Sequence, residues 1–312
     1  MAISVSARHI RVFLAVAEAG STAAAARALH LSQPSVSVAV KELEDILGRA
    51  LFQRMAAKGL VPTEFGLRKL AQARQVAAQL AVFQLPEGAD AAELAGNVAF
   101  GYFTTLGPQY VPAILRLMAL RYPRVTVSLV EADLAELNRL LEAGRIELAL
   151  SYDVEIAPRL VTETVAELTP YALLPEGHPL ALAAAVPVSA LAAEPFILID
   201  LPLSREFLLS VFRAEGVEAR IAYRTASLEM ALGMVANGLG VSVLVTRQEG
   251  GLAYDGRQVA RRPLLGSKVR QGVIMVRPDW AVPTPPAQAL AACIREVVAQ
   301  RATPQTSPSQ LS

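Results

Sequence analysis

The chain has 312 residues, 53% hydrophobic and 18% charged, with one cysteine and a net charge of +1. Its length calls for two or three domains, and its composition excludes a disordered chain. The lone Cys293 excludes an internal disulfide and a cysteine metal cluster, and it reads as a small buried residue on a helix rather than a nucleophile. No apolar run reaches the length of a membrane span, and Met1 to Arg11 lacks an apolar signal-peptide core. A cytoplasmic protein is expected. The charge is unevenly spread: residues 1–80 hold ten Lys or Arg against five acids, and the remainder holds 19 against 23. A basic end on an acidic body suits a nucleic-acid-binding head joined to a separate module.

In chain order, Arg8 to Glu18 places Ile10, Phe13, Leu14 and Ala17 on one face, which predicts an amphipathic helix ended by Gly20. Ser21 or Thr22 caps an Ala-rich helix to about His30. After the break Leu31-Ser32-Gln33-Pro34-Ser35, a second helix runs to Leu47, with Val36, Val40, Leu43 and Leu47 as its apolar stripe and Gly48 as its stop. Between those apolar residues stand Gln33, Ser35, Ser37 and Lys41, which carry hydrogen-bonding groups with little bulk. They suit a helix that enters a DNA major groove, so residues about 22–41 read as a helix-turn-helix. Two short extended pieces around Lys58-Gly59 make a wing, where Arg54 and Lys58 would meet phosphate.

Residues 8–66 resemble the N-terminal domain of LysR-type transcriptional regulators. The resemblance is carried by F-L-A-V-A-E-A-G-S (13–21), A-A-x-x-L (25–29), L-S-Q-P-S-V-S (31–37), L-E-x-x-L-G (43–48), L-F-x-R (51–54) and T-E-x-G (63–66). It implies base-edge contacts by Gln33, Pro34 and Ser37, and phosphate contacts by Arg54 and the wing. Thr22 stands where the family often has Phe, Val38 where it often has Arg, Gln or His, and the wing is less basic than usual.

Thr63 and Glu64 start a helix to about Leu85, with Leu67, Leu70, Ala77, Leu80 and Ala81 in a stripe. The resemblance implies an antiparallel dimerisation helix; packing on its own domain is the alternative. Pro86-Glu87-Gly88 breaks the chain, and residues 86–96 read as a hinge. From Asn97 strands alternate with helices. Strands are expected at 98–103, 125–130, 146–151, 171–174, 196–199, 219–224, 241–245 and 271–276. Helices are expected at about 107–122, 134–143, 204–214, 228–237 and 286–301. This order implies a parallel sheet with right-handed crossovers. The tail from Ala302 reads as disordered.

The second half also resembles the family's effector-binding domain, which has the fold of periplasmic substrate-binding proteins. The matching pieces are T-L-G-P (105–108), R-Y-P-x-V (121–125), G-R-I-E-L-A-L (144–150), G-H-P-L-A (177–181) and V-A-N-G-L-G-V (235–241). The expected architecture is therefore a winged helix-turn-helix (1–65), a linker helix and hinge (66–96), and a two-lobed α/β effector domain (97–301). Lobe one would be 97–165 with 268–301, lobe two 166–267, and residues 302–312 a tail.

Ligands of open α/β sheets sit beyond the carboxyl ends of strands, near helix N-termini. Thr104, Thr105, Ser204, Arg205 and Ser227 occupy such places, and hydroxyls with an Arg would suit a carboxylate. Each hydroxyl could equally be a helix cap. Glu131, on the same cleft, disfavours a second carboxylate on the ligand, or favours an amine. No cofactor, metal site or catalytic constellation is expected: Gly238-Leu239-Gly240 follows a helix, the reverse of the dinucleotide fingerprint, and the three His are scattered.

Two functions remain. One is a ligand-responsive regulator that binds a pseudo-palindromic operator in double-stranded DNA as a dimer, with dimers pairing into a tetramer. The other is a substrate-binding or catalytic α/β protein whose N-terminal helices only dimerise it.

Overall fold

The computed structural model describes residues 5–55, 59–83, 91–246 and 251–302. The wing tip with Lys58, the expected end of the linker helix at Leu85, residues 86–90 of the expected hinge and the tail after 302 lie outside these residues.

The head is built from α1 (Ala7–Ala19), α2 (Thr22–Leu29), α3 (Gln33–Leu47), β1 (Phe52–Met55), β2 (Gly59–Pro62) and α4 (Glu64–Phe83). Its helices start and stop where local chemistry dictates. Gly20 and Gly48 take the left-handed conformation at the ends of α1 and α3, and the Ser21 and Ser32 hydroxyls accept from the N–H groups of Ala24 and Ser35. The helices converge on a small core of Val12, Phe13, Val16, Val36 and Leu43, where Phe13 meets Phe52 edge-on at 5.4 Å. The Leu51 N–H donates to Glu44 Oε1 at 2.7 Å, which ties the strand pair to α3. Leu70 and Ala73 of α4 belong to the same core, so the first half of α4 is a fourth helix of the head.

A first sheet follows, formed by β3 (Ala95–Phe103), β4 (Arg124–Ala132), β5 (Leu148–Tyr152), β6 (Leu160–Leu168) and, from far along the chain, β12 (Gln271–Pro278). Helices α5 (Gly107–Arg121) and α6 (Leu134–Glu142) make its crossovers. A second unit holds β7 (Tyr171–Pro175), α7 (Val188–Ala192), β8 (Phe196–Ile199), α8 (Ser204–Arg213), β9 (Ile221–Thr225), α9 (Leu228–Ala236), β10 (Ser242–Leu244) and β11 (Val259–Pro263). The chain then returns to the first sheet as β12 and closes with α10 (Pro285–Ala302). The strand order of the first sheet is β4-β3-β5-β12-β6.

The expectation of a parallel sheet holds only in part. β3 pairs parallel with β4 and β5, but β12 runs antiparallel to both β5 and β6. The reason is the path of the chain: β12 re-enters from the second lobe, whereas a parallel neighbour needs a helical crossover. In the second lobe β7 pairs antiparallel with β10 and β11, and β8 pairs parallel with β9. Two strands absent from the sequence reading, β6 and β11, lie at sheet edges. The first sheet keeps the chain as far as Leu168, slightly past the expected lobe boundary.

Helix α4 also touches lobe one. Ala71 packs where a Cβ on Gly144 would lie 2.5 Å from its methyl, with Trp280 alongside. The Arg74 guanidinium donates to the Gly144 carbonyl at 3.2 Å, and the Gln75 amide to that of Val282 at 2.8 Å. Beneath this seat lies Glu147, which accepts from Thr284 Oγ1 at 2.9 Å. Burial pushes the Glu147 carboxyl above its usual 4.5, against the opposing pull of the Thr284 hydrogen bond and of Arg74. A raised carboxyl binds its proton more tightly in the folded protein. Its contribution to stability is therefore complete below the usual value and is lost as pH rises through the folded one. Glu147→Gln should gain stability relative to the parent chain between pH 5 and pH 7.5, read as the difference in urea midpoints. A difference that is constant with pH would contradict this.

Candidate functional site: the recognition helix and the inter-lobe cleft

The two-faced character of α3 follows from its sequence period. Val36, Ala39, Val40 and Leu43 are buried, while Gln33, Pro34, Ser37, Val38 and Lys41 are exposed. These five residues fall at three- and four-residue steps and share one outward face. Ser35 is the exception among the expected contacts. Its hydroxyl sits 2.8 Å from that of Ser32, inside the N-terminal cap, and it is half-buried. Arg54 is exposed on β1, opposite Leu60 of β2. The wing itself is seated on α1: the Leu60 N–H donates to the Gly20 carbonyl at 2.8 Å. Lys58 lies outside the described residues.

The expected effector residues separate into groups. Thr104 and Tyr102 both donate to the exposed Glu131, so Glu131 and Thr104 satisfy each other at the rim. Arg205 and Arg224 each donate to Asp200 at 2.9 Å, and these hydrogen bonds, Arg205's first, hold the Asp200 carboxyl below its ordinary range. Ser227 caps α9, accepting from the Met230 N–H at 3.1 Å and donating to Glu229 at 2.9 Å. Thr105 and Ser204, by contrast, face one small cavity of about 30 Å³ between the lobes.

That cavity lies where β3, β5, β8 and β10 end, which is where α/β sheets place ligands. Its remaining lining includes residues that sequence reasoning missed, notably Tyr152, Thr246 and Gln271. Tyr152 and Thr246 close apolar runs and read as core from the sequence, and Gln271 reads only as the start of the apolar strand that follows it. Tyr152 is fully buried, and burial raises its phenol well above the ordinary value. The Thr105 hydroxyl lies 3.5 Å from the Tyr152 oxygen. Leu203, immediately before Ser204, holds φ 65, a conformation that costs a non-glycine residue energy and clusters at ligand clamps. A larger groove of about 440 Å³ runs beside α10 at the opposite end of β5. Two of its charged residues, Glu163 and Arg295, already form a two-pronged ion pair.

No helix among the described residues is long and apolar enough to cross a membrane. Cys293 is buried in α10, and burial raises its thiol.

Comparison with known proteins agrees with both halves. Residues 7–67 match the bacterial regulatory helix-turn-helix protein family of lysR type, and residues 91–299 match the LysR substrate binding domain. The chain is 30% identical over 247 residues to the transcriptional activator protein LysR of Escherichia coli, covering 77% of this chain and 78% of that protein. Among solved structures it is similar to HinK, a LysR family transcriptional regulator from Pseudomonas aeruginosa. The identity is 32%, the coverage 95% of this chain and 99% of that one, and the TM-score 0.64. A full-length OxyR from Pseudomonas aeruginosa, solved as a single-residue variant, shares the fold at 24% identity, with a TM-score of 0.72 over 94% of this chain and 98% of that one. With a lysR-type head at its N-terminus and a LysR substrate binding domain over most of the rest, the chain belongs to the LysR family of DNA-binding transcription regulators.

Proposed function

We propose that α3 reads base edges through Gln33, Pro34 and Ser37, with Val38 against a base methyl or sugar, while Lys41, Arg54 and Lys58 neutralise phosphates. The observation that carries this is the exposed face of α3, whose opposite face is locked into the head's core. Ser35 stiffens the start of that helix through Ser32. One head offers few base contacts, so two are needed, and a dimer with two-fold symmetry reads a pseudo-palindromic site. The second half of α4 supports this pairing: Val76, Leu80 and Phe83 are exposed at three- and four-residue steps and would meet the same stripe of a second copy. Effector bound in the inter-lobe cleft, beside Thr105 and Ser204, changes how the lobes sit and so how dimers pair into a tetramer on DNA. The protein works in the cytoplasm and performs no catalysis.

Footprinting over the protein's own upstream region tests the reading. Gln33→Ala or Ser37→Ala should each weaken operator binding by about 1–3 kcal/mol while the dimer and the fold persist. Binding should also fall steeply with salt. Salt-insensitive binding, or full affinity in both variants, would remove α3 from the interface.

A further inference from the structure

We propose that the inter-lobe cleft takes a small uncharged molecule with an apolar body and a single hydroxyl or carbonyl head, rather than a carboxylate. This rests on the cleft being the effector site. Three observations carry it. First, no charged side chain lines the cavity among the described residues. Its walls are Phe103, Ile199, Phe207, Leu208 and Leu244. Second, among the described residues the charged side chains around the cleft are already engaged at the rim. Arg205 is held by Asp200, which also binds Arg224. Glu131 is held by Thr104 and Tyr102, and Asp153 accepts from both the Gln271 amide and the Gly272 N–H. A carboxylate in the cavity would lose its water without gaining a cation, which is the costly case for a buried charge.

Third, the polar groups that face the cavity are uncharged: the hydroxyls of Tyr152, Thr105, Thr246 and Ser204, and the Gln271 amide, which already donates to Asp153. Tyr152 and Thr105 come from lobe one, and Thr246, buried, comes from lobe two. The Tyr152 phenol faces both threonines, and burial keeps it protonated. A phenol and two alcohols can each donate or accept one hydrogen bond, which matches a neutral hydroxyl or carbonyl. The cavity, at about 30 Å³, holds a water molecule or two, so the lobes part to admit a ligand. The ligand's head then replaces the Tyr152–Thr246 contact that spans them.

The test uses the full chain and matched probes at pH 7.5: benzyl alcohol against benzoate and benzylamine, and 1-butanol against butyrate, with binding followed by saturation-transfer NMR and calorimetry. The alcohol of at least one series should bind ten-fold or more tighter than its charged relatives. Tyr152→Phe and Thr246→Val should each weaken it five-fold or more while leaving toluene binding unchanged, with circular dichroism checking the fold. Tighter binding of benzoate or butyrate overturns the proposal, as does no binding by either alcohol. Loss of carboxylate binding in Arg247→Ala would assign the cation to Arg247, the residue after Thr246, and equally overturn it. Footprints separate this from the wider reading. Benzyl alcohol that binds without altering the footprint removes the effector role and leaves the ligand class standing. Benzoate that binds and alters the footprint does the reverse.

Discussion

Gly66→Ala is expected to destabilise the head by about 3 kcal/mol, despite the gain of about 1 kcal/mol that alanine normally brings to a helix interior. The contact geometry decides the sign. Gly66 lies in the first turn of α4, and a Cβ there would fall inside the contact shell of the Leu51 carbonyl oxygen and 3.0 Å from its carbon. Both obstacles are backbone, so no side chain can rotate away. The segment cannot retreat either. Leu51 is fully buried, the Thr63 N–H donates to the same Leu51 carbonyl at 2.9 Å, and Glu44 holds Leu51 from the other side. The variant should lose operator binding in parallel with head helicity, while the effector domain keeps its own melting transition. An unchanged midpoint for the head would show that α4 can slide along β1, contrary to this packing.

The second large effect is at the seat of α4 on lobe one. Gly144→Ala places a side chain at φ +63, 2.5 Å from the Ala71 methyl and 3.2 Å from the Trp280 ring. The left-handed conformation costs about 1–2 kcal/mol and the overlap about as much again, about 3 kcal/mol in all. Here the structure has an escape: α4 can lift from the lobe, giving up the hydrogen bonds of Arg74 and Gln75. Undocking rather than unfolding is the expected outcome. Trp280 is the only tryptophan in the chain, so its emission reports directly on the seat and should shift to the red in the variant. The head and the effector domain should then melt independently. Parent-like emission with a single transition would mean that the seat contributes little to holding the two parts together.

The helix ends of the head are legible in the sequence because each is decided locally: Ser21 and Ser32 cap, and Gly20 and Gly48 terminate. The amphipathic stripe of α3 is legible for the same reason. Strand direction is not. The apolar run of β12 is equally compatible with either orientation, and its antiparallel setting comes from the route of the chain through the second lobe. β6 and β11 do not stand out because they are edge strands: Leu160–Leu168 carries two glutamates and mostly exposed positions, and Val259–Pro263 holds two arginines and a proline. At the cleft, the polar residues beside helix starts are visible in the sequence, but their partners are not. Thr104 and Thr105 are adjacent, yet one turns to Glu131 and the other to Tyr152. Arg205 reads as suiting a ligand carboxylate, but in the folded lobe Asp200 takes it together with Arg224.

The position of β12 has a consequence for the order in which the protein is made. Leu168 and Gln271 are neighbours in the first sheet, yet the whole second lobe lies between them in sequence. Until β12 leaves the ribosome, β5 presents an open edge and β6 has no partner within its sheet. The head can close as soon as α4 has been synthesised, and the second lobe can close as soon as β11 has, but lobe one must wait for nearly the whole chain. Such late, long-range closure slows folding and leaves strand edges exposed to other chains. A nascent chain stalled after Pro263 would thus carry a finished DNA-reading head on a lobe that cannot yet form its half of the cleft.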